Sequence, residues 1–162
     1  MQFRTKKLLA TVLRALAASG LSPSRLELEI TEGVLLVEQE STLSMLHDLR
    51  ALGVRIAMDD FGTGYSSLGY LQSFPFDKIK IDGSFIRSAG NETTALAIIR
   101  AITGLGTSLG MMTTAEGVET ADQLKLIREE GCGEAQGYLF SRARPASEIA
   151  EFLVSFGQRR AA

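Results

Sequence analysis

The chain is poor in several residue types that mark particular classes of protein: it has one cysteine, one histidine, three prolines and no tryptophan among 162 residues. A single cysteine excludes an internal disulfide framework and is typical of a reducing compartment, so we expect a cytoplasmic location. No apolar run approaches the length of a membrane span, so we expect no membrane contact from this segment. The 17 basic and 19 acidic residues leave a formal charge of -2, which lacks the positive surface that duplex nucleic acid requires. With 45% hydrophobic residues, the chain can build one domain with a real core.

The N-terminal segment imitates a secretory signal, because basic residues precede an apolar run. Arg14 interrupts that run, however. Leu9, Val12 and Leu16 fall on one face of a helix, so we predict an amphipathic helix here and no cleaved leader.

Segments with strand-like and helix-like patterns alternate along the chain. Apolar and polar residues alternate with a period of two over 26–32, 54–59 and 78–82, and shorter strand-like segments follow at 111–117 and 134–138. Helices are predicted over 37–52, 94–109 and 121–130, and another after Pro145. Each strand-like segment carries a polar residue near its end: Glu29, Asp59, Lys80, Glu116 and Gln136. The alternation predicts an α/β fold of repeated βα units around a parallel sheet.

A parallel sheet of this kind is either a closed barrel or an open, doubly wound sheet. No glycine-rich fingerprint opens a first helix, so an open nucleotide-binding sheet is disfavoured. In closed sheets the functional side chains lie at the C-terminal ends of the strands. We therefore expect the five polar residues to converge there.

Asp59 and Asp60 lie between an apolar strand and the glycine-rich turn 61–67. Two adjacent carboxylates repel each other, and a divalent cation such as Mg2+ or Mn2+ offsets that repulsion and prefers oxygen ligands. Alternatively, one aspartate caps the next helix and the other is solvated. The other polar residues have structural alternatives too: Glu29 as a solvated strand end, Lys80 as a surface lysine and Gln136 as a core amide.

Several motifs in a fixed order together suggest a family. They are Glu29-Ile30-Thr31-Glu32, Asp59-Asp60-Phe61-Gly62-Thr63-Gly64-Tyr65-Ser66-Ser67-Leu68, Lys80-Ile81-Asp82, Ala115-Glu116-Gly117-Val118-Glu119 and Gln136-Gly137-Tyr138-Leu139-Phe140. From about Gln2 to Phe156 the chain resembles the C-terminal part of the EAL domain, the bacterial signalling phosphodiesterase domain that opens cyclic di-GMP. The resemblance implies a single truncated domain over 1–162, with about five βα units of a (β/α)8 TIM-type barrel.

The resemblance also implies a two-metal site for phosphodiester hydrolysis. The implied ligands of two Mg2+ or Mn2+ ions are Glu29, Asp59, Asp60 and Glu116. The implied catalytic residues are Lys80, Glu116, Gln136 and Glu32. Lys80 would hold the attacking water and offset charge on the phosphate, Gln136 would hold water or substrate on the opposite wall, and Glu32 would anchor the loop 61–68. Glu119 and Asp82 would have supporting roles.

The sequence also departs from the family pattern. It lacks the first strands, with the Glu-Ala-Leu motif and an asparagine that supply metal ligands. Gly83 stands where the family often has arginine. A contact that this arginine would make to a substrate phosphate or base is therefore not expected from Gly83.

Three functional hypotheses follow from this pattern. The first is a cyclic di-GMP phosphodiesterase that is weak or inactive because ligands on the missing strands are absent. The second is a non-catalytic module that binds cyclic di-GMP or a protein partner. The third concerns assembly: an open five-stranded sheet leaves two unpaired edges and an uncovered apolar face, so we expect a homo-oligomer.

Overall fold

The structure, a computed structural model, describes residues 7–35, 39–63, 68–90 and 92–160 and consists of a five-stranded sheet with helices. The strands are β1 (Glu27–Thr31), β2 (Arg55–Phe61), β3 (Lys78–Ile81), β4 (Met112–Ala115) and β5 (Glu134–Ala135). The helices are α1 (Lys7–Ser19), α2 (Glu32–Leu35), α3 (Gln39–Ala51), α4 (Leu68–Ser73), α5 (Gly83–Ser88), α6 (Thr93–Leu109), α7 (Ala121–Glu129) and α8 (Ile149–Arg160). Short 3-10 turns at Pro23–Arg25 and Ala146–Glu148 precede β1 and α8.

All the strands of the sheet are parallel and follow one another in the order β1-β2-β3-β4-β5. In this register Glu29 lies beside Ala57, and Lys80 lies beside Thr114. The carboxyl ends of the strands therefore share one edge of the sheet, where parallel α/β folds place their functional groups. The predicted α/β fold with a five-stranded parallel sheet and intervening helices is confirmed.

The hydrophobic core lies between the sheet and the helices. Ile30, Met58 and Ile79 of the strands pack in one cluster with Leu46 of α3 and Ile99 of α6, and all five are at most 1% exposed. Alternate strand residues point to the other face of the sheet, as the strand period of two requires. That other face carries charged side chains, among them Glu29, Lys78 and Lys80. Among the described residues it is therefore not the uncovered apolar face that was predicted.

The long helices match the predicted segments closely. Helix α6 begins at Thr93 and ends at Gly110, whose φ of 69° places it in the left-handed region that glycine favours. Helix α7 begins with a capping box formed by Thr120 and Gln123. The predicted start of α3 falls partly on residues 36–38, outside the described residues. Helices α2, α4 and α5 were not predicted, because four to six residues are too few to show a helical period.

Strand β2 contains a bulge at its C-terminal end. Met58 pairs with Ile79 and Phe61 pairs with Ile81, so β2 has one residue more than β3 over this stretch. Asp60 has a φ of 55°, an uncommon value for a residue other than glycine. Bulges redirect side chains next to functional sites, and this one falls on the Asp59-Asp60 pair.

Within the described residues, no helix combines the length and the apolar character that a bilayer span requires.

Candidate metal-binding site

The ammonium group of Lys80 is the centre of a cluster of carboxylates at the C-terminal end of the sheet. Its Nζ lies 2.7 Å from Oε1 of Glu29, 2.9 Å from Oδ1 of Asp59 and 2.5 Å from Oε1 of Glu116. These residues come from β1, β2 and the turn after β4, and Lys80 itself lies on β3 and is buried. The structure therefore brings together four of the five polar residues that were predicted to converge.

Asp59, Asp60 and Glu116 form a group that is able to hold a cation. Each offers a carboxylate oxygen, and these atoms all lie within 4.8 Å of one another. In a regular strand Asp59 and Asp60 would point to opposite faces. The bulge in β2 and the left-handed backbone of Asp60 explain how both carboxylates reach the same place.

The electrostatics of the cluster leave it with an excess of negative charge. Burial would lower the pKa of Lys80, but its contacts with three carboxylates, led by Glu116, outweigh burial and hold that pKa above the ordinary value. Burial raises the pKa of Glu116 despite the opposing effect of Lys80. Burial and then the charge of Asp59 raise the pKa of Asp60. One lysine thus faces several carboxylates that resist ionising together.

This donor set fits a hard divalent cation. Carboxylate oxygens are the ligands that Mg2+ and Mn2+ prefer. A divalent ion would stabilise the charged forms of Asp60 and Glu116, whose pKa values are raised first by burial and then by neighbouring carboxylates. Asp59, Asp60 and Glu116 would hold it, and Glu29 contacts the same lysine at 2.7 Å.

Gln136 lies on the wall of the same cavity as Glu29 and Lys80. Its backbone N–H donates to the carbonyl of Ala115 at 2.8 Å, and its carbonyl accepts from the N–H of Val118 at 3.0 Å. The strand after α7 is thereby joined to the turn that carries Glu116. Gln136 therefore lines this cavity from the β5 side of the sheet, and its role toward water or substrate stays a prediction.

Glu32, Asp82 and Glu119 each lie at or just before the start of a helix. Glu32 is the first residue of α2 and is buried, but residues 64–67 of the loop that it is predicted to anchor lie outside the described residues. Asp82 caps α5 by accepting from the N–H of Ser84 at 3.0 Å, and the hydrogen bond from the Ser84 hydroxyl lowers the pKa of Asp82. The backbone N–H of Glu119 donates to Gln123, so Glu119 belongs to the start of α7.

A second charged layer lies next to the cluster and was not predicted. It consists of Glu27, Lys78, Thr114 and Glu134, which we call the Lys78 layer. The Nζ of Lys78 lies 2.9 Å from Glu27 Oε1 and 2.7 Å from Glu134 Oε2, and the Thr114 hydroxyl donates to Glu134 at 2.9 Å. The sequence did contain a pattern for it, because Glu27 and Lys78 precede Glu29 and Lys80 by two residues and so share their faces.

The chain belongs to the EAL domain family, because the model of that family matches residues 1–143. It is 44% identical over 145 residues to the cyclic di-GMP phosphodiesterase NbdA of Pseudomonas aeruginosa, covering 90% of this chain and 18% of that protein. The EAL domain of Mycobacterium smegmatis DcpA has a similar structure, with a TM-score of 0.89 and 38% identity over 95% of this chain and 69% of that one. Klebsiella pneumoniae BlrP1, in its manganese and cyclic di-GMP complex, aligns with a TM-score of 0.80 and 34% identity over 86% of this chain and 36% of that one.

The matches to the curated relatives cover only part of each relative. The chain spans about a fifth of the length of the curated relatives that it matches. The matches establish the family and the fold.

Proposed function

We propose that this chain is a cyclic di-GMP-specific phosphodiesterase domain that hydrolyses its substrate to linear di-GMP with two Mg2+ or Mn2+ ions, and that it is impaired when isolated. The observation that carries the proposal is the contact of Lys80 with Glu29, Asp59 and Glu116 at the C-terminal end of a parallel sheet. One relative by sequence is named a cyclic di-GMP phosphodiesterase, and one similar structure is a manganese and cyclic di-GMP complex.

Each residue of the cluster has a chemical task that its environment supports. Divalent ions, when bound, would compensate the charge of the phosphate oxygens and activate water at neutral pH. Asp59, Asp60, Glu116 and Glu29 would hold those ions. The raised pKa of Lys80 keeps its ammonium group charged at neutral pH, so that it orients a water molecule or a phosphate oxygen. Gln136 would position water or substrate from the opposite wall.

The proposed impairment follows from the openness of the site. The Glu29 side chain is 47% exposed, although it contacts Lys80 at 2.7 Å. Within the described residues β1 pairs only with β2, so its other edge contributes no ligand. Water competes with protein oxygens at such a site, and we expect weak binding of the metal and slow turnover.

The test is hydrolysis of cyclic di-GMP by the purified chain with Mg2+ or Mn2+. We expect turnover to be slow or undetectable. Fast turnover that Asp59→Asn abolishes would contradict the impairment and support the assigned site. Fast turnover that survives Asp59→Asn would contradict the site itself.

The second candidate is a non-catalytic module that binds cyclic di-GMP or a protein partner. A cavity of about 1050 Å³ along the charged face of the sheet has room for a ligand of dinucleotide size, which the module and the phosphodiesterase both require. The exposure of the Glu29 side chain favours the module, because an open metal site weakens catalysis more than it weakens binding in the cavity. Calorimetry with cyclic di-GMP in EDTA and in Mg2+ distinguishes the candidates. Heat of binding that is as large in EDTA as in Mg2+ supports the module, whereas heat that appears only with Mg2+ supports the phosphodiesterase site. The absence of heat under both conditions contradicts binding of the dinucleotide.

A further inference from the structure

We propose that Lys78 is a positioning residue, which draws the two edge strands of the sheet toward each other and thereby sets the spacing of the metal-binding cluster. The part of this proposal that concerns the cluster rests on the proposed function. The part that concerns the sheet rests on geometry alone and has its own test.

The reach of Lys78 across the sheet is the first observation. Lys78 lies on β3, the middle strand, yet its Nζ contacts Glu27 on β1 and Glu134 on β5 at 2.9 and 2.7 Å. Neighbouring strands lie about 4.8 Å apart, so in a flat sheet each partner strand would be roughly 10 Å from β3. One ammonium group can touch both partners only if the sheet is strongly curved.

The charge of Lys78 is necessary for this arrangement. Glu27 and Glu134 would repel each other if they approached the same point without a cation between them. The Lys78 side chain is only 12% exposed, so solvent screens its contacts less than those of a surface pair. Burial would lower the pKa of Lys78, but the bonds with Glu134 and Glu27 outweigh burial and raise it. Arg55, whose Nε lies 3.9 Å from Glu27 Oε2, is a weaker second cation for the layer.

The spacing of residues along each strand connects the Lys78 layer to the site. Each member of the layer lies two residues before a residue of the predicted site and so faces the same side of the sheet. The pairs are Glu27 with Glu29, Lys78 with Lys80, Thr114 with Glu116, and Glu134 with Gln136. A change in the distance between β1 and β5 at the Lys78 layer therefore moves Glu29 relative to Gln136 in the predicted site.

The experiment measures two quantities in the same variants: the distance between the edge strands β1 and β5, and the affinity for Mn2+. Spin labels on Arg25→Cys, just before β1, and Glu129→Cys, at the end of α7 that leads into β5, in a Cys132→Ser background report the separation by pulsed electron paramagnetic resonance in the absence of Mn2+. We expect Lys78→Met to lengthen and broaden the distance distribution and to weaken Mn2+ binding by about fivefold or more. Lys78→Arg should restore both, because it keeps the positive charge. Lys7→Met, which removes an exposed lysine at the start of α1, should leave both unchanged.

The possible results test the effect of Lys78 on the sheet separately from its effect on the metal-binding cluster. An unchanged distance distribution in Lys78→Met overturns it, as does a wider distribution with unaltered Mn2+ affinity. If Lys78→Met does not fold, Glu134→Gln, which weakens one arm only, takes its place with the same expected direction. If the unsubstituted chain binds no Mn2+, the proposed function fails, while the distance comparison still decides whether Lys78 curves the sheet.

Discussion

Lys80 combines two properties that rarely occur in one lysine: it is buried, and it touches three carboxylates. A buried cation of this kind keeps like charges together, and its removal leaves them facing one another without compensation. At the scale of single residues, the account therefore predicts that Lys80 stabilises the metal-free fold and that a divalent ion is able to substitute for its charge.

Lys80→Met should lower the free energy of unfolding by up to about 3 kcal/mol in the absence of metal, because it leaves the half-buried carboxylates of Asp59 and Glu116 without their cation. Mg2+ should recover part of that loss and should stabilise the variant more than the unsubstituted chain. Urea unfolding with and without Mg2+ measures both effects. The matched control is Lys125→Met, which we expect to change the free energy by less than about 0.5 kcal/mol. Equal responses of the two variants would contradict the role of Lys80.

At the scale of elements, the turn after β4 and the segment after β5 approach each other closely. The N–H of Leu139 donates to the carbonyl of Val118 at 3.0 Å. A Cβ built on Gly137 would lie 2.2 Å from that same carbonyl oxygen. Only glycine permits this approach, which places Gln136 opposite Glu116.

Gly137→Ala should therefore lower the free energy of unfolding by about 1 to 3 kcal/mol, the usual result of overpacking. Gly104→Ala is a matched control on α6, where an added Cβ meets nothing within 4 Å. It should raise the free energy by about 0.5 to 1 kcal/mol, because alanine favours the helix. Thermal or urea unfolding distinguishes the two, and a neutral Gly137→Ala would contradict the close contact.

The contact between β3 and β5 predicts a dependence of stability on pH. The hydrogen bond from Lys78 holds the pKa of Glu134 below its usual value. A depressed pKa in the folded state stabilises the fold above the pKa of the unfolded state, about 4.3, and this stabilisation is lost as the pH falls through the folded value. Because the Glu134 side chain is 43% exposed, we expect the difference between the unsubstituted chain and Glu134→Gln to be below about 1 kcal/mol at pH 7.

Unfolding of both proteins from pH 7 to pH 3 tests this expectation, and the difference should shrink toward the acid end. Glu129→Gln, on the exposed side of α7 and 4.0 Å from Lys125, should show almost no difference at any pH. A difference for Glu134→Gln that grows toward low pH would have the wrong sign for the proposed contact.

The sequence predicted the elements better than it predicted their details. Alternation of strand and helix patterns was enough for the parallel sheet and for the convergence of Glu29, Asp59, Lys80 and Glu116. The bulge in β2 was not predictable, because it depends on how β2 and β3 pair and not on a local pattern. The Lys78 layer was missed because its contacts span two strands on each side of β3, and a period of two shows which face a residue shares but not which strands approach it.

At the scale of the whole molecule, the sheet has two edges without a further strand among the described residues. In the part of the chain that the structure describes, β1 pairs only with β2, and β5 pairs only with β4. Helix α8 adds exposed apolar groups, since Leu153 is 61% and Val154 is 65% exposed. Free strand edges and exposed apolar side chains both favour association in water.

We therefore expect the isolated chain to associate as its concentration rises. Light scattering over a range of concentrations should give an average mass that increases above the 17.5 kDa of one chain. Val154→Ser should reduce the apolar contribution and shift association to higher concentration. A uniform particle of monomer mass at every concentration would contradict the expectation.

The central claim is that carboxylates from separate βα units form one site for divalent ions. Titration of the chain with Mn2+, followed by the electron paramagnetic resonance signal of the free ion, tests it most directly. We expect saturable binding that Asp59→Asn weakens by about tenfold or more, which corresponds to about 1.4 kcal/mol, while Asp122→Asn on the exposed start of α7 leaves it unchanged. Equal Mn2+ affinity in all three proteins, or no saturable binding by the unsubstituted chain, would contradict the account.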